Sequence, residues 1–252
     1  MEEDRTASRD SSDEIERLIE GLKKHDDKRY SRELMEELDE VKDEIVPLGE
    51  KAVPYLVELV NSDGGWSRRF AARALGDIAD ERAIPPLVNV LEDEELGDPA
   101  MDVLVEFGPT CIPKAIEKVE QIIARPKEEN RGVVTPTMYP LLTIGKIKCD
   151  KSVEFLNKLL DDYMSEIPDE PFDMGEKDWK YANVNFFHIL DAMVAQQNER
   201  AISHIEEARD FFPEPYVDRE ICQEAIEKIK KGDPESAFAY EAVEKRFPPI
   251  EL

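Results

Sequence analysis

One arrangement of apolar, small and polar residues recurs along the chain, with a chain reversal leading through a small residue into an amphipathic helix. Residues 48–54 and 107–113 match almost position for position, and residues 78–85 match them with one extra residue in the turn. Weaker copies begin at Ile147 and near Val194. Self-similarity of this kind predicts that the chain repeats one supersecondary unit several times.

The aligned copies predict which face of each helix is buried. The small-residue column contains Ala52, Ala83, Cys111, Ser152 and Ala201, and the apolar column four residues later contains Leu56, Leu87, Ala115, Leu156 and Ile205. With neighbouring apolar columns they form the i, i+3, i+4, i+7 stripe of a helix that buries one face. Prolines 54, 85 and 113 fit the first helical turn, where a missing N–H costs no hydrogen bond.

Another amphipathic helix precedes each of these helices, so each copy contains a first helix and a second helix. The apolar positions of the first helix fall within residues 34–48, 70–78, 98–107, 138–147 and 179–194, and Asp98 before Pro99 is a candidate cap for the third copy. Neither helix of a pair hides its apolar stripe alone, so the pairs must stack. The sequence therefore predicts an all-α fold, an α-α superhelix of about five to six stacked antiparallel helix pairs.

Residues 70–80 (FAARALGDIAD) together with 83–87 (AIPPL) resemble the short HEAT-like repeat of phycobilisome-lyase-type proteins. The resemblance is specific over residues 48–119. From 138 to about 210 it is one of pattern only, because Pro136 and Pro140 interrupt a first helix and His188 or Asp191 stands at an apolar position. Ankyrin and tetratricopeptide repeats fit less well, since their signature residues do not recur. The resemblance implies a HEAT-like solenoid whose second helices line the concave face.

Composition shifts divide the chain further. Residues 1–14 are polar and charged without apolar spacing and predict a disordered tail, so the solenoid is expected over residues 15–252. Residues 166–178 form an acidic, proline-bearing insertion. Residues 218–247 predict a capping helix pair that Pro248 and Pro249 end.

Charge limits the classes of partner. The chain has 59 acidic and 33 basic residues and a formal net charge of -26, which repels nucleic-acid phosphates and anionic lipid surfaces. We therefore expect neither nucleic acid nor membrane as a partner. Three explanations account for the acidity: attraction of a basic protein partner, solubility, or life in high salt.

The start of the sequence lacks the features of a signal peptide, and no apolar run is long enough for a membrane helix. The three cysteines form no CxxC pair and are typical of buried thiols in a reducing compartment. A cytoplasmic location is the expectation.

The sequence gives little support for chemistry. The three histidines, His25, His188 and His204, lack partners at metal-ligand spacing, and they do not form the His-Glu pairs with which HEAT-like deoxyhypusine hydroxylases hold iron. A calcium loop starting at Asp169 would need glycine and a carboxylate where Met174 and Lys180 stand. We predict no catalytic residue, no metal and no cofactor.

Some conspicuous residues have a structural explanation. Cys111 is explained by packing, and His188 and His204 are expected to be structural even if they face each other. Trp66 is expected to pack at a repeat edge, as is Trp179. Arg69 and Arg73 resemble the arginines that tie neighbouring HEAT pairs together, with Asp77 as a candidate acidic partner.

The solvent-facing columns of the second helices are the predicted partner surface. Most of their residues are acidic, namely Glu58, Glu92, Glu117, Glu120, Asp161, Glu207 and Asp210. The function predicted on this basis is a non-catalytic scaffold or adaptor that binds a protein, particularly a basic segment, through the concave face. The alternative is a chromophore (bilin) lyase or a lyase-like subunit, which rests on the resemblance alone. The sequence leaves the oligomeric state open.

Overall fold

A computed structural model describes residues 2–126, 136–167, 184–212 and 217–235. Within these ranges the regular secondary structure is entirely helical, without a strand. The chain divides into two compact units, residues 1–114 and 115–252. The predicted all-α solenoid class is confirmed.

The first unit stacks helices in two layers. First helices α2, α4 and α6 pack in succession, and second helices α1, α3 and α5 pack beside them. Their bounds are α1 Glu2–Lys23, α2 Arg32–Ile45, α3 Val53–Val60, α4 Trp66–Ile78, α5 Ile84–Asn89 and α6 Gly97–Phe107. Helix α7, Ile112–Ala124, begins in this unit and continues into the next.

The second unit repeats the arrangement. First helices α8, α10 and α12 pack in succession, and second helices α9 and α11 pack against them and against each other. Their bounds are α8 Met138–Lys146, α9 Asp150–Ser165, α10 Phe186–Gln196, α11 Ile202–Phe211 and α12 Val217–Lys231. Pro140 lies in the first turn of α8, where its missing N–H breaks no intrahelical bond.

The predicted packing columns are buried. Every member of the small-residue column is at most 3% exposed, and every member of the apolar column four residues later is at most 1% exposed. The Cys111 thiol lies 3.3 Å from the carbonyl oxygens of both Leu104 and Gly108, to which an S–H can donate. Packing therefore accounts for the cysteine in this column, as predicted.

Two kinds of turn lead into the second helices. In one, Gly49 and Gly108 adopt φ of 58° and 64°, a region that glycine enters without steric cost. In the other, Ala79 and Gln197 are left-handed at φ of 56° and 52°. The residue after each, Asp80 or Asn198, accepts a hydrogen bond on its side chain from the backbone N–H two positions later. This second turn recurs with the sequence Glu-Arg-Ala-Ile at residues 81–84 and 199–202, so one local motif builds the same turn in both units.

Some predicted boundaries differ from the structure. Helix α1 begins at Glu2, so residues 2–14 are helical where a disordered tail was predicted. Extending a helix that is already nucleated costs far less than starting one, which lets a polar segment continue it. Helix α10 begins at Phe186 rather than near 179, because the Asn185 side chain accepts from the Phe187 N–H and caps the helix there.

Helix α6 lacks the predicted Asp98 cap; instead Asp93 accepts from the N–H groups of Glu95 and Leu96 in the turn before it. The first helix of the predicted capping pair is α12. Its second helix, nearly all of the 166–178 insertion and Trp179 lie outside the described residues.

Candidate protein-binding surface

In the first unit, the predicted acidic positions differ in their surroundings. Glu58 is exposed on α3. Glu92 is half-buried and lies in the short 3-10 turn Val90–Glu92 rather than on α5, because α5 ends at Asn89. Glu58 is therefore the better placed of the two for contact with a partner.

Glu58 lines a groove between the neighbouring second helices α1 and α3, which we call the α1–α3 groove. Its volume is about 340 Å³, and it is lined by Glu16, Ile19, Glu20, Lys23, Tyr55, Glu58, Leu59 and Ser62. Ile19 and Leu59 are buried and form an apolar floor, while the glutamates are exposed. The groove thus combines an apolar base with an acidic rim.

Charge on that rim is only partly neutralised. Lys23 Nζ lies 3.0 Å from Glu20 Oε1, which offsets one carboxylate. Glu16 and Glu58 make no ion pair with another described residue. Two carboxylates are therefore left to face an incoming cation.

The second unit holds the other five predicted acidic residues. Glu117 and Glu120 are exposed on α7, and Glu207 is exposed on α11. The remaining two, Asp161 and Asp210, are engaged within the unit and are less available to a partner than the sequence implied.

Asp161 on α9 is paired across the helix interface, since its Oδ1 lies 2.8 Å from His204 Nδ1 on α11. Asp210 lies 3.0 Å from Arg209 Nε and 3.7 Å from Arg219 Nη1. The hydrogen bond from Arg209 lowers the pKa of Asp210 below its ordinary value. Both carboxylates thus have a role in holding helices together.

A second groove, the α7–α9 groove, lies within the second unit. It holds about 360 Å³ and is lined by Glu120, Ile123, Ala124, Phe155, Lys158, Leu159 and Asp162. Lys158 Nζ lies 3.8 Å from Asp162 Oδ2, so this rim carries a cation as well as carboxylates. Its lining has two carboxylates and one lysine, against three carboxylates and one lysine in the α1–α3 groove, so it is the less acidic of the two.

The histidines have separate structural surroundings. His188 is buried on α10, its Nδ1 lies 3.0 Å from the Thr137 hydroxyl, and burial lowers its pKa to about 4. His204 pairs with Asp161 instead, so the two rings do not pair with each other. Among the described residues, no group of three or more His, Cys, Asp or Glu side chains is arranged to hold a metal ion.

The thiols differ in accessibility. Cys222 is buried, and burial raises its pKa to about 12. Cys149 is half-buried just before α9, and its Sγ lies 3.0 Å from the Ser152 hydroxyl. A thiol with a raised pKa carries little of the thiolate that nucleophilic chemistry needs.

The arginine ties predicted from the sequence are partly present. Arg73 reaches Asp39 on the preceding first helix at 3.2 Å. Arg69 instead lies over the Trp66 ring, 5.6 Å from its centroid. Asp77 pairs with Lys42 at 2.5 Å rather than with an arginine.

A tie that sequence reasoning missed links successive turns. Arg82 Nη2 lies 3.6 Å from Glu50 Oε2, and Arg200 Nη1 lies 3.2 Å from Asp150 Oδ1. Arg82 and Arg200 immediately precede Ala83 and Ala201 of the small-residue column. Glu50 and Asp150 lie two residues before Ala52 and Ser152, which are the members of that column in the preceding copies. The recurrence of Glu-Arg-Ala-Ile in register with that column was the available signal.

Trp66 has an anchoring role at the edge of the first unit. Its indole N–H donates to the Lys28 carbonyl oxygen at 2.9 Å, and its ring lies 6.0 Å from that of Tyr30. Packing thus accounts for Trp66, as the sequence suggested. Tyr30 itself is 71% exposed.

In the described part of the chain, every helix falls short of the length and apolarity that crossing a bilayer requires.

A comparison with curated proteins gives no match. Among solved structures, a designed armadillo repeat protein is similar over 85% of this chain and 99% of its own, with 16% identity and a TM-score of 0.34. A scan against protein families matches residues 15–104 to the model for HEAT repeats. The match starts earlier than the region of strongest resemblance, residues 48–119, and ends within α6. It makes this stretch of the chain similar to HEAT repeats in general and does not distinguish the phycobilisome-lyase subtype.

Proposed function

We propose that this protein is a non-catalytic scaffold that binds a partner protein through the exposed surface of its second helices. The observation that carries the proposal is the α1–α3 groove, which has an apolar floor and an acidic rim containing the predicted contact residue Glu58. Helical repeats offer such surfaces by stacking equivalent helices side by side. The similarity to HEAT repeats over residues 15–104 supports the same proposal.

The partner we propose is a protein with a basic segment. The chain carries a formal net charge of -26, and Glu58, Glu117 and Glu120 are exposed on second helices. A negative field attracts a positive segment and raises its rate of encounter. We propose a cytoplasmic location on the basis of cysteine usage, in keeping with the buried thiols of Cys111 and Cys222.

The test begins with affinity purification of the full chain from its native host and identification of co-purifying proteins by mass spectrometry. Association rates of the purified partner are then measured against salt for the wild type and for the triple variant Glu58→Lys, Glu117→Lys, Glu120→Lys. We expect the variant to associate about tenfold more slowly at low salt and to show a flatter salt dependence, because surface charges act mainly on the encounter rate.

A matched control reverses three exposed glutamates of first helices, Glu40→Lys, Glu106→Lys and Glu224→Lys, and produces the same change in net charge. The control should associate at close to the wild-type rate. Equal slowing of both variants would attribute binding to net charge alone and would overturn the proposed surface. Binding of a linear tetrapyrrole with a change in its absorption spectrum, and no protein partner, would instead support the lyase alternative.

A further inference from the structure

We propose that the α1–α3 groove binds an arginine side chain from a basic and apolar segment of the partner protein. This inference rests on the proposed scaffold function and deepens it by assigning one groove and one kind of ligand group.

The groove suits a side chain with an apolar stem and a cationic head. Ile19 and Leu59 form the floor at 7% and 2% exposure, and the Tyr55 ring is half-buried beside them. Arginine buries its methylene stem against apolar surface while its head group stays at the polar rim. A volume of about 340 Å³ accommodates such a side chain together with a neighbouring apolar residue.

The rim supplies acceptors for the head group. Glu16 from α1 and Glu58 from α3 line the same groove, and neither makes an ion pair within the described residues. Lys23 is occupied by Glu20 at 3.0 Å. Guanidinium has a planar fork of N–H donors that matches carboxylate geometry, and it also stacks on aromatic rings such as that of Tyr55.

Charge distinguishes this groove from the α7–α9 groove. There Lys158 lies 3.8 Å from Asp162, and one further carboxylate, Glu120, lines the cavity. In the α1–α3 groove Lys23 likewise pairs with Glu20, but two further carboxylates, Glu16 and Glu58, line the cavity. The α1–α3 groove is therefore the better complement to arginine.

The experiment uses the full chain and a short fluorescein-labelled peptide of alternating arginine and leucine, with binding followed by fluorescence anisotropy at low and at physiological salt. A second peptide carries citrulline, the neutral isostere, in place of each arginine. We expect the arginine peptide to bind the wild type at least tenfold more tightly than the citrulline peptide, because hydrogen bonds between two charged groups are stronger than neutral ones.

The groove is tested with the double variant Glu16→Gln, Glu58→Gln, which removes charge without changing shape. We expect this variant to bind the arginine peptide about tenfold more weakly than the wild type does. The matched control is Glu106→Gln, Glu224→Gln, which removes the same charge from exposed positions on the first helices α6 and α12 and should change affinity less than twofold. Tyr55→Ala should weaken binding several-fold, whereas Tyr55→Phe, which keeps the ring, should not.

Several results would overturn the assignment. Equal weakening by the groove variant and the control would mean that the peptide responds to net charge, and absence of peptide binding by the wild type would exclude an arginine site. Either result leaves the scaffold proposal to its own test, the association kinetics of the natural partner. A purified partner that is insensitive to the triple lysine variant would refute the scaffold surface even if the peptide bound. Circular dichroism of every variant confirms that the helices are retained.

Discussion

Three helical glycines have such different surroundings that the same substitution should change stability in opposite directions. At Gly145 on α8, a Cβ atom would lie 2.3 Å from the carbonyl oxygen and 2.7 Å from the Cα atom of Ala192 on α10. At Gly76 on α4, it would lie 2.8 Å from Cγ1 of Val103 on α6. At Gly21 on α1, the nearest atom is Cγ1 of Val41 at 3.6 Å, an ordinary van der Waals contact.

The expected magnitudes follow from these distances. Replacing a helical glycine with alanine gains roughly 0.5–1 kcal/mol when nothing obstructs the methyl group, so Gly21→Ala should stabilise the protein by about that amount. Gly145→Ala places its methyl group against backbone, which moves only if α8 and α10 separate, and overpacking of this kind costs roughly 1–3 kcal/mol or more. We expect Gly145→Ala to lose about 2 kcal/mol net.

Gly76→Ala lies between these two cases. The obstructing atoms belong to the buried Val103 side chain rather than to backbone, and a β-branched residue has few alternative rotamers. Val103 therefore cannot turn away into another rotamer, but a side chain shifts slightly more easily than backbone does. The clash is thus only partly relieved, and we expect a net loss of about 1 kcal/mol.

Urea denaturation followed by far-UV circular dichroism measures the three free energies of unfolding. The midpoints should follow the order Gly21→Ala, wild type, Gly76→Ala, Gly145→Ala from highest to lowest urea, with the slope unchanged. A Gly145→Ala protein as stable as the wild type would refute the close approach of α8 to α10. A destabilised Gly21→Ala protein would refute the open surroundings of that residue.

Three further substitutions test separate features by the same denaturation method. Leu87→Ala empties a completely buried position and should cost roughly 2–5 kcal/mol, whereas Glu58→Ala on an exposed position should stay within about 0.5 kcal/mol; a small loss at Leu87 would contradict the packing register. Asp26→Ala removes the carboxylate that accepts from both the N–H and the hydroxyl of Ser67 at 2.7 Å, and it should cost about 1–2 kcal/mol, in contrast to a negligible effect of Asp27→Ala on the exposed neighbour. For His188 the pKa is about 4 in the folded protein and about 6.5 in the unfolded chain. Because the unfolded chain binds the proton more readily, the full stability is present above about pH 6.5 and should fall by on the order of 3 kcal/mol as the pH drops to about 4. That fall should flatten in His188→Asn, and an unchanged pH profile would refute the assignment.

The repeated local pattern was enough to predict the helices and the faces they bury. Ala52, Ala83 and Ala201 were predicted to be buried small residues, and all three are. The reason is that a 3.6-residue period and a proline in the first turn are properties of short segments, which any one copy displays on its own. Helix ends were less certain, since residues 2–14 extend α1 where their polarity suggested a tail.

The contacts between copies were decided only by the tertiary structure. The Asp26 carboxylate caps α4 from a loop 41 residues earlier in the chain, and His204 engages Asp161, a residue predicted to face a partner. The α1–α3 groove likewise depends on how closely two helices lie and on which side chains fill the space between them. Periodicity specifies the face of each helix that is buried, but these pairings depend on the distance and angle between helices, which are set by packing along their whole length.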